Sequence, residues 1–385
     1  MRIFIFIILP FFAFSQEKTQ KKKFSDIVQF RGYLKDMQTL SFLDNAESMI
    51  TGNLIHNRLN FKIYPVKNLT VAVEFRNRII YGEQVKAFPG YGNYLAKDNG
   101  YINLSKLWVN EKSLIINSII DRAWIGWEKG KWEIRAGRQR INWGINLTWN
   151  PNDIFNTYNF LDFDYEERPG SDALKIRYAT GNFSGIEIAA KAARNTDSLV
   201  IAAKYNFNKW KYDFQILGGI FNEDIVAGTG WAGNIKNAGF KGEASYFHPR
   251  NNIKDTSGIV SISTTIDYSF KKGFYINGSY LYNSSGGVVF SPLLFIGNSV
   301  SAKNLMPFKH SILVQGMKTI NPLLSSGLTV IYSPKVNCVI FIPSLAYSVS
   351  DNWSLDLLGQ LFFAEQADEF KTAGNSIFLR LKWSF

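Results

Sequence analysis

The chain has one cysteine, Cys338, and three histidines, His56, His248 and His310, in 385 residues. No intramolecular disulfide can form, and no cysteine cluster can hold a metal. Charged residues make up 19% of the chain, below the ~25% usual for globular proteins. After residue 14 no stretch reaches the ~18 consecutive apolar residues of a membrane-crossing helix. No phosphate loop, dinucleotide fingerprint or metal-ligand spacing is present. These absences argue against a helical membrane protein, a nucleotide-binding enzyme and a metal site, so no cofactor is expected. What is abundant is aromatic: 31 Phe, 18 Tyr and 10 Trp, too many for a disordered chain.

The N-terminus reads as an export signal. Arg2 supplies a minimal positive region, Ile3 to Phe14 is apolar throughout, and Ala13-Phe14-Ser15 offers small residues at the −3 and −1 positions of a cleavage site. The expected organisation is a signal peptide over 1–15, a basic periplasmic tail over 16–25, and one domain over 26–385. No cysteine follows the apolar run, so no lipid anchor is expected there.

The body alternates with period two. Leu69, Val71, Val73 and Phe75 fall on one face of a strand, and Thr70, Glu74, Arg76 and Arg78 fall on the other. Leu59, Phe61 and Ile63 oppose Arg58, Asn60 and Lys62, and Trp353, Leu355 and Leu357 oppose Ser354 and Asp356. A soluble sandwich buries such an apolar face against a second sheet; a membrane barrel turns it to lipid. Aromatics near the strand ends, among them Trp127, Trp132, Trp210, Phe270, Phe274 and Trp353, favour the barrel, because Trp and Tyr settle at membrane interfaces.

Turn lengths agree. Segments of this kind give about 18 strands, with 16 the lower count, in an all-β, transmembrane, antiparallel up-and-down barrel. Every second connection is short, as at Lys129-Gly130, Asn208-Lys209 and Lys271-Lys272. The long ones, 37–53, 81–120, 140–172, 248–257, 284–308 and 364–375, fall between them. Short periplasmic turns and long external loops are the rule for such barrels, and an even count puts both termini in the periplasm. A further candidate strand, 101–110, breaks this parity and is assigned to an external loop. The Gly-rich segment 224–232 is the weakest of the strands.

The last strand ends Leu379-Arg380-Leu381-Lys382-Trp383-Ser384-Phe385. It resembles the assembly signal of Gram-negative outer-membrane barrels, whose terminal aromatic is read by the barrel-insertion machinery; Trp383 and Phe385 would carry it here. The pattern of the whole body resembles porins. Gly137-Arg138-Gln139-Arg140-Ile141-Asn142-Trp143-Gly144, with Asn150-Pro151-Asn152-Asp153-Ile154-Phe155 and Glu167-Arg168-Pro169-Gly170, looks like a motif of porin-like proteins. The resemblance implies a place in the cell outer membrane, contact with its lipid and passage of small solutes. It leaves assembly into a homo-oligomer open.

The inward positions carry the chemistry. Arg58, Lys62, Arg76, Arg78, Arg122, Arg135, Lys175 and Arg177 are expected to line a pore, with Glu74, Glu128, Glu133, Glu187, Asp213, Glu243, Asp267 and Asp356 as the acidic minority. An excess of basic groups favours anions; a merely polar, unselective lumen is the alternative. Loop 140–172 is expected to fold inward as a constriction, with Asp162, Asp164, Glu166 and Glu167 facing the wall arginines. The same acids could instead hold Ca²⁺, although the spacing of a dedicated loop is missing, or the loop could lie at the surface. Loop 81–120, with Leu104, Leu107, Trp108, Ile115 and Ile119, is too apolar for a free solvated loop. No nucleophile, base and orienting group come together, so no enzyme is expected, and the +12 charge is too dispersed for nucleic acid. The reading is a passive channel for small hydrophilic solutes, with some preference for anions. The alternative is a loop-plugged structural or export-associated barrel that binds a protein partner.

Overall fold

The structure is a computed structural model, and it describes residues 24–43, 49–162, 164, 169–251, 253, 256–287, 300–366 and 368–385. A helical turn, α1 (Phe24–Ile27), precedes β1 (Val28–Phe42), β2 (Ile50–Ile63) and β3 (Leu69–Gly82). Two short helices, α2 (Glu83–Ala87) and α3 (Tyr91–Ala96), lead to β4 (Ser105–Asn110), β5 (Leu114–Lys129) and β6 (Trp132–Gln139). Then come β7 (Ser171–Ala179), β8 (Gly185–Lys191), β9 (Val200–Lys209), β10 (Tyr212–Phe221), β11 (Asp224–Ile235), β12 (Ala238–Pro249) and β13 (Ile259–Phe270). The chain ends with β14 (Phe274–Asn283), β15 (His310–Asn321), β16 (Leu324–Ser333), β17 (Cys338–Ser350), β18 (Trp353–Gln366) and β19 (Glu369–Ser384).

All pairings are antiparallel between neighbours. β3 pairs with β5, and β19 closes on β1 from Tyr33 opposite Ser384 to Phe42 opposite Asn375. The wall is therefore a closed, up-and-down barrel of 18 strands, with β4 as an addition. Closure removes the sheet edges. The side chains follow the pleat. Along β17, Cys338, Ile340 and Ile342 are buried inside, while Phe341, Leu345, Tyr347 and Val349 are exposed outside. An apolar exterior around a polar and packed interior is the construction of a membrane-spanning barrel.

Three sequence expectations need correction. Segment 101–110 does contain a strand: β4 pairs antiparallel with the upper half of β5, from Ser105 opposite Ile119 to Asn110 opposite Ile115, while β6 pairs only with the lower half. β4 thus continues the wall where β6 stops, and parity survives because β4 and β5 form a hairpin of their own. Residues 115 and 119 belong to β5, so the connection is shorter than 81–120. Finally, 364–375 is no loop; Gln366 pairs with Glu369 and the two strands run to the turn.

Both described termini lie at the end that carries the short turns, since Val28 pairs with Ile63 and Phe385 exchanges two backbone hydrogen bonds with Gly32, 2.9 and 3.0 Å. Turns at this end are tight. Trp210 and Lys211 have φ of 55° and 65°, the double left-handed geometry of a primed two-residue hairpin. Aromatics girdle this rim, with Phe30–Phe61, Trp132–Tyr178, Phe207–Phe214 and Trp353–Trp383 centroids 4.7–6.1 Å apart. Trp210 is 76% exposed, with Lys209 Nζ 4.4 Å from its ring, an arrangement suited to the water–lipid boundary.

Candidate functional site

The connection between β6 and β7 is built to lie inside the barrel. Ile141, Trp143, Trp149, Ile154 and Phe155 are buried, and their cover is the inner face of the wall: Val200, Leu217, Phe221, Val226 and Phe247 for one group, Leu281, Leu313 and Ile331 for Trp149. The polar contacts fix the path. Glu243 of β12, wholly buried, accepts backbone N–H groups from Ile145 (2.5 Å), Asn146 (2.8 Å) and Asn152 (2.9 Å). Trp143 Nε1 donates to Glu187 Oε1 at 2.6 Å, and Gln215 Nε2 donates to the Trp143 carbonyl at 2.7 Å. Ser245 Oγ donates to the Pro151 carbonyl, and Ser263 Oγ to that of Trp149. A loop carries many backbone groups that must find partners once buried, and here the wall supplies them.

Past Phe155 the same loop crosses the lumen. Phe160 and Leu161 pack with the apolar residues of β14–β18, and Gln360 Nε2 donates to the Leu161 carbonyl at 3.3 Å. Asp164 then reaches β1 and β2. Its Oδ1 lies 3.0 Å from both Lys35 Nζ and His56 Nδ1, and its carbonyl accepts from Lys35 Nζ at 2.7 Å. Burial pushes the Asp164 carboxyl up, but the bond from His56 and the Lys35 charge outweigh it and hold the group well below the usual carboxylate range.

The expected pore residues divide into two groups. Arg58, Arg76, Arg78 and Arg122 stand together on β2, β3 and β5, and all are built into contacts. Arg58, wholly buried, bonds Glu74 (2.5 Å) and Asp121 (2.7 Å); Arg76 Nε lies 3.2 Å from Asp121 and Arg122 Nε 3.2 Å from Glu74. Arg78 Nη2 donates to Asn117 Oδ1 at 2.9 Å and to the Leu95 carbonyl of α3 at 2.8 Å. Lys62, Arg135, Lys175 and Arg177 lie nearer the short-turn rim. Glu133 joins Arg135 (3.1 Å) and Lys175 (2.9 Å), and Arg135 also sits 4.1 Å over the Trp124 ring; Lys62 and Arg177 are exposed. Of the four expected loop acids, Asp164 makes the pairs just described and Asp162 is exposed beside it. Glu166 and Glu167 lie outside the described residues, and among the described residues no group of acids, histidines and cysteine could hold a metal ion.

A cavity of about 270 Å³ remains between this wall and the loops, lined by Arg78, Tyr91, Tyr94, Asp162, Asp164 and Leu161 among others. It sets one guanidinium opposite two carboxylates beside aromatic rings. Sequence reasoning missed three contributors. Lys35 was reachable from the β1 alternation, since Leu34 and Asp36 face out. Asp121 was not. A bulge between β3 and β5, where Glu74 opposes Arg122 and Phe75 opposes Ile120, leaves Asp121 as the extra residue and lets two consecutive charges face inward. Arg138 closes the seam where β4 replaces β6, bonding Asp98 (2.7 Å), Asp172 (2.7 and 3.0 Å) and the carbonyls of Ile102 and Ile120.

No protein-family model matches the chain, and neither does any curated protein sequence. Solved structures do match it. OccAB4 of Acinetobacter baumannii is similar over 93% of this chain and 98% of that one, at 10% identity and a TM-score of 0.58. OccK9 (OpdG) of Pseudomonas aeruginosa is similar over 94% and 100%, at 10% identity and 0.59. OccK8 (OprE) of the same organism is similar over 94% and 98%, at 10% identity and 0.56. At this identity the likeness is one of fold, end to end.

Proposed function

We propose that the chain is an outer-membrane channel for passive diffusion of small hydrophilic solutes. The observation that carries this is a closed 18-stranded barrel whose β6–β7 connection is held inside the lumen by Glu243 and crosses it to Lys35 and His56. Barrels of 16–18 strands are wide enough to leave an aqueous channel, and a loop anchored on two walls narrows one to a defined opening. The solved structures that share the fold are outer-membrane porins. Both termini then lie in the periplasm, with the short turns, and the long connections face outward.

Selectivity follows from the charges near the crossing. Lys35, Arg58, Arg76, Arg78 and Arg122 face Glu74, Asp121 and Asp164. Five basic groups against three acidic ones leave a positive excess, much reduced by pairing, so the preference for anions is modest. Reconstitution of the refolded protein into a planar bilayer tests both parts. Discrete conductance steps are expected, with a reversal potential in a KCl gradient displaced toward that of chloride. A folded, inserted protein that carries no current would overturn the channel. It would favour the plugged, partner-binding barrel, to which the apolar packing of the loops inside the wall gives some support.

A further inference from the structure

The two ends of the barrel differ in charge. Eight short turns close the end that carries the termini, joining β2–β3, β5–β6, β7–β8, β9–β10, β11–β12, β13–β14, β15–β16 and β17–β18. These turns, with the strand residue on either side, hold eight lysines and one acid, Asp351. Lys67 lies in the first turn, Lys129 and Lys131 in the second, Lys209 and Lys211 in the fourth, Lys236 in the fifth, and Lys271 and Lys272 in the sixth. All eight are exposed, and among the described residues none of them is ion-paired. The connections at the other end carry both signs. There Lys303 pairs with Asp224 at 2.5 Å, Lys371 with Glu369 at 2.6 Å, and Glu111 stands next to Lys112.

Lysine is not the residue these turns ask for. Lys211, Lys236 and Lys272 have φ of 65°, 56° and 64°, the left-handed region, where a Cβ is strained and glycine is not. Asparagine also tolerates it, and the chain uses asparagine at Asn68, Asn222 and Asn337. Lysine brings neither relief, so turn formation does not account for it; its charge is what distinguishes it. Each turn also holds or adjoins an exposed large apolar residue, from Val66 in the first to Trp353 at the last. Lys209 Nζ lies 4.4 Å from the Trp210 ring, and Phe270 and Phe274 flank Lys271-Lys272-Gly273. Aromatics exposed at a barrel rim mark the boundary between acyl chains and headgroups. Lysines one or two residues from them stand at the depth of the phosphates, which their long apolar stems allow the ammonium groups to reach.

We propose that this rim binds anionic phospholipid headgroups, phosphodiesters of the phosphatidylglycerol kind, in the leaflet at the short-turn end. With the topology given above, that is the periplasmic leaflet. The basic turns run from β2 to β14, around most of the wall, so their partner must surround the barrel. A bilayer leaflet does so, and a folded protein docked at one sector does not. Two turns without lysine agree: Phe183 and Leu323 are exposed where β7–β8 and β15–β16 close, apolar groups suited to the same boundary. A lysine near an anionic membrane surface gives roughly a five-fold preference, so several together gather anionic lipid in place of neutral lipid. The inference holds whether or not the barrel conducts.

The test titrates the folded barrel in neutral detergent with phosphatidylglycerol or phosphatidylcholine and counts retained lipids by native mass spectrometry. The wild type should retain phosphatidylglycerol in several-fold excess, less so as salt rises. The variant Lys211→Gly/Lys236→Gly/Lys272→Gly removes three charges and relaxes three left-handed residues. It should lose much of that excess while unfolding at the wild-type temperature or above, and arginine at the same three positions should preserve the excess. Lys86→Gln/Lys112→Gln, at the opposite end, should leave the ratio unchanged, which separates this rim from anion contacts on the other side. Should the glycine variant fail to fold, Lys271→Gln/Lys272→Gln, at exposed side chains, carries the same arm. Equal retention of the two lipids by the wild type overturns the proposal, as does a folded rim variant with the wild-type ratio. So does a rim variant that keeps its lipid ratio but no longer sediments with purified peptidoglycan, which would make the lysines a cell-wall contact.

Discussion

Glu243 offers the sharpest test of the idea that the barrel's opening is set by an internally anchored loop. Its carboxylate is the sole acceptor described for the amides of Ile145 and Asn146, and it takes that of Asn152 as well. Glu243→Ala removes all three bonds at once and leaves three buried N–H groups without that partner. Hydrogen bonds to a charged group contribute about 1.5–3 kcal/mol each, and an orphaned buried donor costs about 1–3 kcal/mol. Even with non-additivity among neighbours, a local loss of about 4 kcal/mol is the expected order. That raises the population of loop-detached states by roughly a thousand-fold, at 1.4 kcal/mol per factor of ten. The wall itself should survive, because its closure rests on backbone ladders that the substitution does not touch. In single-channel recordings the variant should show a larger mean conductance and frequent transitions between levels, where the wild type shows one. Glu243→Gln should fall between them, since one carboxamide oxygen can still accept while the NH₂ faces another donor. A Glu243→Ala channel with wild-type conductance and noise would refute the reasoning: the loop would then be held by its apolar contacts alone, or would not bound the pore.

Changing Arg76 and Arg78 together to Ser should lower the anion-to-cation permeability ratio. At ~8 Å in a water-like medium each charge lowers an anion's energy and raises a cation's by about 0.5 kcal/mol, so the two together change the ratio by about 2 kcal/mol before screening; one Debye length of screening at physiological salt leaves a roughly four-fold fall in reversal-potential measurements, fading further as salt rises. The Asp164 anchor has a depressed carboxyl, so its contribution is complete above the ordinary carboxylate range and is lost only as pH falls below it. Conductance should therefore hold from pH 7 to about 4, and a collapse within that window in wild type but not in Asp164→Asn would count against the anchor. Deleting Phe385, whose ring lies 4.9 Å from Trp383 and 5.6 Å from Phe30, should reduce insertion and leave protease-sensitive chain, read by heat-modified gel mobility. Asn159→Cys should react with a membrane-impermeant maleimide on intact cells and Asn208→Cys should not; the reverse pattern would invert the topology.

The wall was legible because its signal is local. Period-two alternation needs only a strand's own residues, and all 18 wall strands lie where it points. The misses came where two faces or two distant segments decide. Strand β4 replaces β6 beside β5, an exchange no single window of sequence can display. The Gly-rich stretch 224–232 looked weak as a strand because glycine adds no side chain to pack. In the fold those glycines serve the loop: a Cβ on Gly228 would stand 2.6 Å from Asn152 Oδ1, and one on Gly230 would stand 2.9 Å from Ile145 Cδ1. The absent side chains make room for the loop against the wall. The inward position of Glu243 was readable, but its partners lie 91 to 98 residues away along the chain. Nothing local marks that its carboxylate would gather three amides.

The loop-side half of the lumen is where channel and plug must be told apart. There the strands are apolar on both faces. β15 shows Ile312 and Val314 to lipid and Leu313 to the interior, and β17 shows Phe341 outward with Ile340 and Ile342 inward. Lipid covers the first face. The second needs cover too, since exposed apolar surface facing water is unfavourable at roughly 25 cal/mol per Å². Trp149, Leu305, Met306 and Phe308 supply it for β14–β18, and Trp143, Ile154 and Phe155 for β9–β12. Helices α2 and α3 do so through Val85, Tyr91 and Leu95 for β1–β5. The connections are therefore the inner layer of a core as well as lids on a pipe, and the polar residues Thr265, Asn277, Ser279 and Thr329 of the wall are themselves buried and joined to one another and to Gln315 by hydrogen bonds. Any solute path must pass along the edges of that layer, where Arg78 and Asp164 meet the cavity. Opening it wider means detaching packed side chains as well as hydrogen bonds. A channel so built should have a small conductance for its strand number; a large one would mean that the inner layer leaves the lumen in the working state.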